Sequence, residues 1–204
     1  MSDVLGVVAA GVAGYLVGTF PSADVVTRAV TRGQVDIRAI GSGNPGGLNA
    51  IRAVGRTWGV AVIVLDVAKG ALAGLLGMLV AGDAGAYTAA TAAMVGHCFP
   101  VWARFRGGKG VATAAGSFAA VFPPMLVIGG ITAITASVLT KSSERAMWVT
   151  CSVWVAAAIA WVVADLPNAW GPEPDEGLII YSVLGAMLIL GKFRAGARAQ
   201  APAL

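Results

Sequence analysis

Two glycine-rich stretches that carry cations hold the residues best suited to chemistry in this chain. The first reads Gly41-Ser42-Gly43-Asn44-Pro45-Gly46-Gly47-Leu48-Asn49-Ala50-Ile51-Arg52, with Asp36 and Arg38 just before it. Glycine admits positive φ and lets backbone N–H groups approach a ligand closely. Successive inward N–H groups form a concavity suited to phosphate, so an anion site is expected here. The second stretch, Arg104-Phe105-Arg106-Gly107-Gly108-Lys109-Gly110, opens a predicted helix. Free N–H groups, the positive end of the helix dipole and the Lys109 ammonium would then meet an anion together. A nucleotide loop is excluded: Ala103 occupies the first glycine position of G-x4-G-K-[ST], and Gly110 stands where the magnesium-binding hydroxyl would be.

Two further features lie on the same side of the chain's polar pattern. Asp66 and Lys69 sit three residues apart inside an apolar block, on one helical face. Ionisable groups at membrane depth are expensive and pair with one another, so this is expected to be a structural ion pair near the site. His97 is the single histidine; it is either a general base or a hydrogen-bonded structural residue. One histidine without an acidic cluster makes no metal site, and no cofactor is expected. The His-x4-Asp arrangement of many membrane acyltransferases is absent, because Trp102 stands at the acid position.

What must position these residues is a set of membrane helices. The 204 residues are 57% hydrophobic and only 12% charged, with a mean hydropathy of +0.80, whereas soluble domains carry roughly 25% charged residues. The apolar residues form blocks on the scale of a bilayer span, roughly 17–25 residues. Cys98 and Cys151 have no CxxC spacing and read as packing residues. The run Val4 to Phe20 follows only Met1-Ser2-Asp3, without the basic start of a signal peptide, and is expected to remain as the first helix.

Thirteen of the fourteen Lys and Arg residues set the topology; Lys69 alone lies inside an apolar block. Arg28 to Arg56, Arg104 to Lys109, Lys141 with Arg145, and Lys192 to Arg198 mark basic gaps. The gaps at Asp83, at Pro123-Pro124 and at Asp165 to Glu176 contain neither Lys nor Arg. Placing every basic gap in the cytoplasm gives helices at about residues 4–21, 58–80, 84–102, 111–122, 125–140, 147–164 and 178–191. The expected fold is thus a single-domain, all-α integral membrane protein: a seven-helix bundle with its N-terminus outside and its C-terminus cytoplasmic. Val111 to Thr140 is read as a hairpin turning at Pro123-Pro124, its first limb short, tilted or partly re-entrant. Small-residue runs such as Ala9-Ala10-Gly11, Gly70-Ala71 and Ala114-Ala115-Gly116 are expected to pack helices closely. The net charge of +4 reports topology rather than a nucleic-acid partner.

Gly41-Ser-Gly-Asn-Pro-Gly46 through Asn49 and Arg52 is similar to the G-S-G-N-P-G-A-T-N-x-x-R of the bacterial acyl-phosphate:glycerol-3-phosphate acyltransferases of the PlsY type. Asp66-x-x-Lys69-Gly70, Gly96-His97-x-x-Pro100 and Gly107-Gly-Lys-Gly-Val-Ala-Thr113 resemble that family's further motifs. The resemblance implies acyl transfer from acyl phosphate to the first hydroxyl of sn-glycerol 3-phosphate, giving lysophosphatidic acid and phosphate for phospholipid synthesis. It implies a multi-pass protein of the bacterial inner membrane, among membrane lipids, with its site facing the cytoplasm. The catalytic positions implied are Ser42, Arg52 and Lys109, with His97 as the protein alternative to the substrate phosphate in taking the proton. Arg38, Gly41, Gly43, Asn44, Gly46, Asn49, Gly107, Gly108 and Gly110 are expected to bind substrate, together with Ser142 and Ser143, a loose echo of a serine-rich stretch.

The chain departs from the pattern at Gly47-Leu48, where the family has Ala-Thr. It departs again in the tail, where Gly191-Lys192-Phe193-Arg194-Ala195-Gly196-Ala197-Arg198 has neither histidine nor asparagine of an expected His-x-x-Asn-x-x-Arg, though Arg194 or Arg198 would retain its charge. A divergent homologue with a changed acceptor or no activity is one alternative. A transporter or binding protein for a phosphorylated metabolite is the other, disfavoured by the lack of paired halves or of a polar route to the outer face.

Overall fold

The computed structural model describes residues 2–200, and side chains over residues 3–197. Its helices are α1 (Ser2–Gly18), α2 (Ser22–Thr31), α3 (Gly47–Val54), α4 (Arg56–Cys98), α5 (Val111–Val121), α6 (Pro124–Thr140), α7 (Ser143–Val163) and α8 (Glu176–Gln200). α4 is two helices joined by a tight turn. Ala81 and Gly82 leave helical geometry, Gly82 at φ 59°. A Cβ on Gly77 would strike the Gly85 carbonyl, and one on Gly85 the Gly77 carbonyl. Residues eight apart meet in this way only if the chain folds back on itself.

Counting the two limbs of α4 separately, seven apolar helices form the bundle, and the break at residues 81–82 falls where the sequence divided 58–80 from 84–102. Four helical stretches are long and apolar enough to cross a membrane. The outward faces carry Val4, Leu79, Ile134, Leu139 and Val163, each more than half exposed, as lipid contact requires. Gly14 and Gly18 of α1 lie directly on the backbone of Ala89 and Ala93, while Gly70 and Gly116 bring the first limb of α4 against α5. Small residues thus set the closest approaches.

Three boundaries differ from expectation. The second limb of α4 ends at Cys98 rather than near 102, because Pro100 has no N–H to continue the ladder. α8 runs past 191 to Gln200, beyond its apolar part. The first polar loop is not loop throughout: it contains α2, α3 and a 3-10 turn at Ile37–Ala39. Ala23, Val26, Ile37 and Ala50 form a small core of their own on Val62 of α4.

The hairpin at Pro123-Pro124 is present, with a first limb of 11 residues. At ~1.5 Å per residue α5 reaches only about half of a hydrocarbon core of ~30 Å, which strands its last carbonyls. The segment before α8 satisfies them: Trp170 Nε1 donates to Ala119 O at 2.6 Å and Asn168 Nδ2 to Val121 O at 3.2 Å. Across the bundle centre Phe118, Trp154 and Tyr181 stack edge to face. Ser117 Oγ lies 2.6 Å from Tyr181 Oη there.

Candidate active site

Two adjoining cavities open where the polar loops meet. An inner pocket of about 20 Å³ is lined by Thr19, Ser22, Asp66, Lys69, His97 and Gly108, among others. An outer cleft of about 380 Å³ is lined by Ser42, Asn44, Arg106, Lys109, Lys192 and Gly196, among others. Arg38, Pro45 and Gly107 border both.

The first glycine loop is shaped by Asn49. Its Nδ2 donates to Ile37 O at 3.0 Å and to Ile40 O at 2.9 Å, and its Oδ1 accepts from Ser42 N at 3.1 Å. Gly43 N donates to Ile40 O and Gly46 N to Asn44 O, while Asn44 N donates to Ser42 Oγ at 3.4 Å. Gly41 and Gly43 hold positive φ, 57° and 67°. Several of the amides expected to face an anion are therefore engaged inside the loop, and Asn49 is buried as its organiser. The loop presents Ser42, Gly43, Asn44 and Pro45 to the cleft.

The second glycine loop differs from expectation in the same way. Gly107 N donates to Cys98 O and Gly108 N to His97 O, both at 3.1 Å. A Cβ on Gly108 would collide with the His97 ring, and one on Gly107 with the His97 carbonyl. These glycines let the loop lie flat against the end of α4. Gly110, at φ 84°, then turns the chain into α5, whose first amides keep the free character of a helix start.

The outer cleft is electropositive. Arg38, Arg106, Lys109 and Lys192 line it, with no carboxylate in its lining. Arg38 is anchored: it forms an ion pair with Asp24, and its Nε and Nη2 donate to Arg106 O at 3.3 and 3.1 Å. Lys192 Nζ donates to Cys98 O at 3.1 Å. Lys109 Nζ lies 3.9 Å from the centre of the Phe193 ring. Burial holds the Lys109 ammonium below the ordinary lysine range, an effect that the carboxylate of Glu144 partly offsets.

The inner pocket holds the paired charges. Lys69 Nζ is 2.8 Å from Asp66 Oδ1 and donates to Phe20 O at 3.0 Å. Asp66 Oδ1 is also 3.5 Å from His97 Nδ1, at the outer limit for a hydrogen bond. The cluster joins both limbs of α4 to the end of α1.

Other expected residues lie elsewhere. Arg52 is exposed on α3 and borders neither cavity. Ser142 caps α7, accepting from Arg145 N at 3.3 Å; neither it nor Ser143 lines the cleft. Arg194 stacks on Trp148, 4.7 Å from the ring centre, and the Arg198 side chain lies outside the described residues. Among the described residues no three His, Cys, Asp or Glu gather as a metal site would need. Lys192, Phe193 and Asp24 were not singled out as site residues. Only the charge of Lys192, on the side given to the cytoplasm, was a usable signal.

The family model for glycerol-3-phosphate acyltransferase matches residues 8–199. The chain belongs to the glycerol-3-phosphate acyltransferase family. Relatives of that name include one from Anaeromyxobacter dehalogenans, 40% identical over 173 residues and covering 82% of this chain and 85% of the relative. Another, from Cereibacter sphaeroides, is 36% identical over 162 residues, with coverages of 79% and 74%. The chain also resembles the crystal structure of PlsY (YgiH), an integral membrane glycerol 3-phosphate acyltransferase, in its glycerol 3-phosphate form. That likeness has a TM-score of 0.75 and 27% identity, and covers 97% of this chain and 91% of PlsY. The lysophosphatidic acid form of PlsY matches with a TM-score of 0.74. This family member is therefore a membrane-embedded acyltransferase of phospholipid biosynthesis, and the match reaches well beyond the first 120 residues that carry its motifs.

Proposed function

We propose that this acyltransferase moves an acyl group from acyl phosphate to the sn-1 hydroxyl of glycerol 3-phosphate, giving 1-acylglycerol 3-phosphate and inorganic phosphate. The observation that carries the reading is the outer cleft, where four cationic side chains and no carboxylate meet two loops. Both substrates bear a phosphate, so an electropositive cleft suits both. Positioning and electrostatics then supply the rate. The hydroxyl oxygen attacks the acyl carbonyl carbon, the bond from that carbon to the phosphate oxygen breaks, and the phosphate leaves with the electron pair.

Lys109 and Arg106 stabilise the charge that develops on the leaving phosphate and the carbonyl oxygen. Arg38 and Lys192 hold phosphate at the walls, and Ser42 and Asn44 orient polar groups of the substrates. A phosphate oxygen of the substrate takes the hydroxyl proton; His97, lining the inner pocket, is the protein-side alternative. Arg52 meets incoming phosphate from the exposed face of α3. The acyl chain runs along α5 into an apolar cavity of about 150 Å³ lined by Ala114, Phe118, Met125, Gly129, Trp154 and Ile189, among others. Two of its lining residues, Val111 and Ile189, are close in sequence to Lys109 and Lys192 of the cleft.

In this reading the basic gaps face the cytoplasm, as the positive-inside bias requires, with the N-terminus outside and the C-terminus and cleft inside. The protein belongs in this reading to a bacterial plasma membrane. Purified protein in lipid, given acyl phosphate and radiolabelled glycerol 3-phosphate, is expected to form labelled lysophosphatidic acid. Vesicle uptake of label without acylation would instead establish a transporter, and the absence of both product and uptake would overturn the acceptor assignment.

A further inference from the structure

We infer that Phe193 is a positioning residue, whose ring face holds the Lys109 ammonium in the cleft without neutralising it. The inference rests on the reading that the cleft binds phosphate.

A lysine side chain has four rotatable bonds and considerable rotamer freedom, so something must fix its charge if it is to act at one place. The common solution is a carboxylate. In this protein Lys69 has that solution, with Asp66 Oδ1 at 2.8 Å. A carboxylate beside Lys109 would compete with the phosphate for the same charge. Among the described residues Lys109 makes no ion pair or hydrogen bond, and Glu144 acts on it only through space. The group against it is the Phe193 ring, 3.9 Å from Nζ to centroid, well inside the ~6 Å range of a cation–π contact. The negative face of the ring attracts the cation but offers no proton acceptor. The charge is thus located and remains free to pair with an incoming anion.

The ring is itself held firmly. Phe193 is 7% exposed and belongs to the main core of the bundle, so its plane is set by packing rather than by the lysine. One helical turn on, Gly196 lies against the lysine: a Cβ there would meet Lys109 Cε at 3.6 Å and Nζ at 3.9 Å, ordinary van der Waals contact. Lys192 is held differently: its Nζ lies 4.9 Å from the centre of the Phe99 ring and also donates to Cys98 O at 3.1 Å.

The step needs no bond made or broken by Phe193; its effect is on where a charge sits. Removing the ring face while keeping apolar volume should therefore weaken phosphate engagement by about 3- to 30-fold. The experiment compares wild type with Phe193→Leu, Phe193→Tyr and Phe193→Trp, and with mono-, di- and trifluorophenylalanine incorporated at 193. The readouts are apparent KM and kcat in reconstituted lipid, and inorganic phosphate affinity by calorimetry.

Leucine should raise KM and weaken phosphate binding within that range, whereas tyrosine and tryptophan should stay within about threefold of wild type. The fluorinated series keeps the shape of the ring while draining its face, so affinity should fall stepwise with each fluorine. A merely structural ring would not produce that gradient. Equal affinity across the fluorinated series, or full affinity in Phe193→Leu, overturns the inference while leaving the proposed function intact. A wild-type protein that neither binds phosphate nor acylates glycerol 3-phosphate overturns the function itself, and the inference with it.

Discussion

Lys69 and Lys109 lie on opposite sides of the same constellation and show what a buried charge is for. Lys69 has a carboxylate at 2.8 Å and a backbone carbonyl at 3.0 Å; its charge is satisfied, and it joins helices. Lys109 has an aromatic ring and a cleft; its charge is located but unanswered. Paired charge in a low-dielectric interior builds structure, whereas charge left unpaired at a cleft wall has to be matched by a ligand. In the proposed function the Asp66–Lys69 pair is therefore scaffold and the outer cleft is the working surface.

The sharpest way to break this contrast is Lys109→Met. Transfer should fall about 100- to 1,000-fold, the scale of losing one preorganised electrostatic group, while the thermal midpoint in detergent stays near wild type. Asp66→Ala should do the reverse. Leaving Lys69 buried and unpaired should destabilise the fold by about 3–5 kcal/mol, read as a lower unfolding midpoint and a smaller folded yield. The double replacement Asp66→Asn with Lys69→Met should recover part of that loss. If Asp66→Ala kept its stability but lost turnover, the two lysines would have to exchange roles.

A pH titration sharpens the contrast on the side of Lys109. Its folded pKa is lowered by burial, and in the proposed mechanism the protonated form is the one that binds phosphate. Activity is therefore present below that pKa and lost as pH rises through it, at a lower pH than for an ordinary lysine. In Lys109→Arg the alkaline decline should move upward whatever the absolute rate, because guanidinium stays protonated. A rate–pH profile of both proteins checks this. Stability has its own sign: between the folded pKa and the ordinary value the unfolded chain binds more protons, so stability rises slightly with pH there. The smallest effect is expected far from both lysines. Trp170→Phe removes the donor to Ala119 O and should lower stability by about 0.5–1.5 kcal/mol, seen in the unfolding midpoint with little change in KM.

How far the residues announced this arrangement varied with the scale of the force involved. The turn at residues 81–82 and the hairpin at Pro123-Pro124 were legible because Asp83 and a proline pair interrupt long apolar runs. The helices α2 and α3 were hidden, since ten- and eight-residue amphipathic helices inside a glycine-rich polar segment give little periodic signal. Both glycine loops stood out as unusual, but for a reason that proved partly different. Gly107 and Gly108 permit close packing on His97, and Asn49 satisfies the first loop from within.

Chain composition alone was enough to require a membrane-embedded helical bundle, because an apolar run of bilayer length has no other stable place, and the distribution of Lys and Arg divided its two faces. The motifs alone were enough to point to the family. Folding in three dimensions was needed to choose among the cations. Arg52 and Lys109 look equally available as letters, yet one is exposed on α3 and the other lies over a ring contributed by α8. Pairing, burial and the sharing of a cavity depend on distances between segments many residues apart. No local pattern encodes those distances; the packing of glycine against backbone between helices sets them.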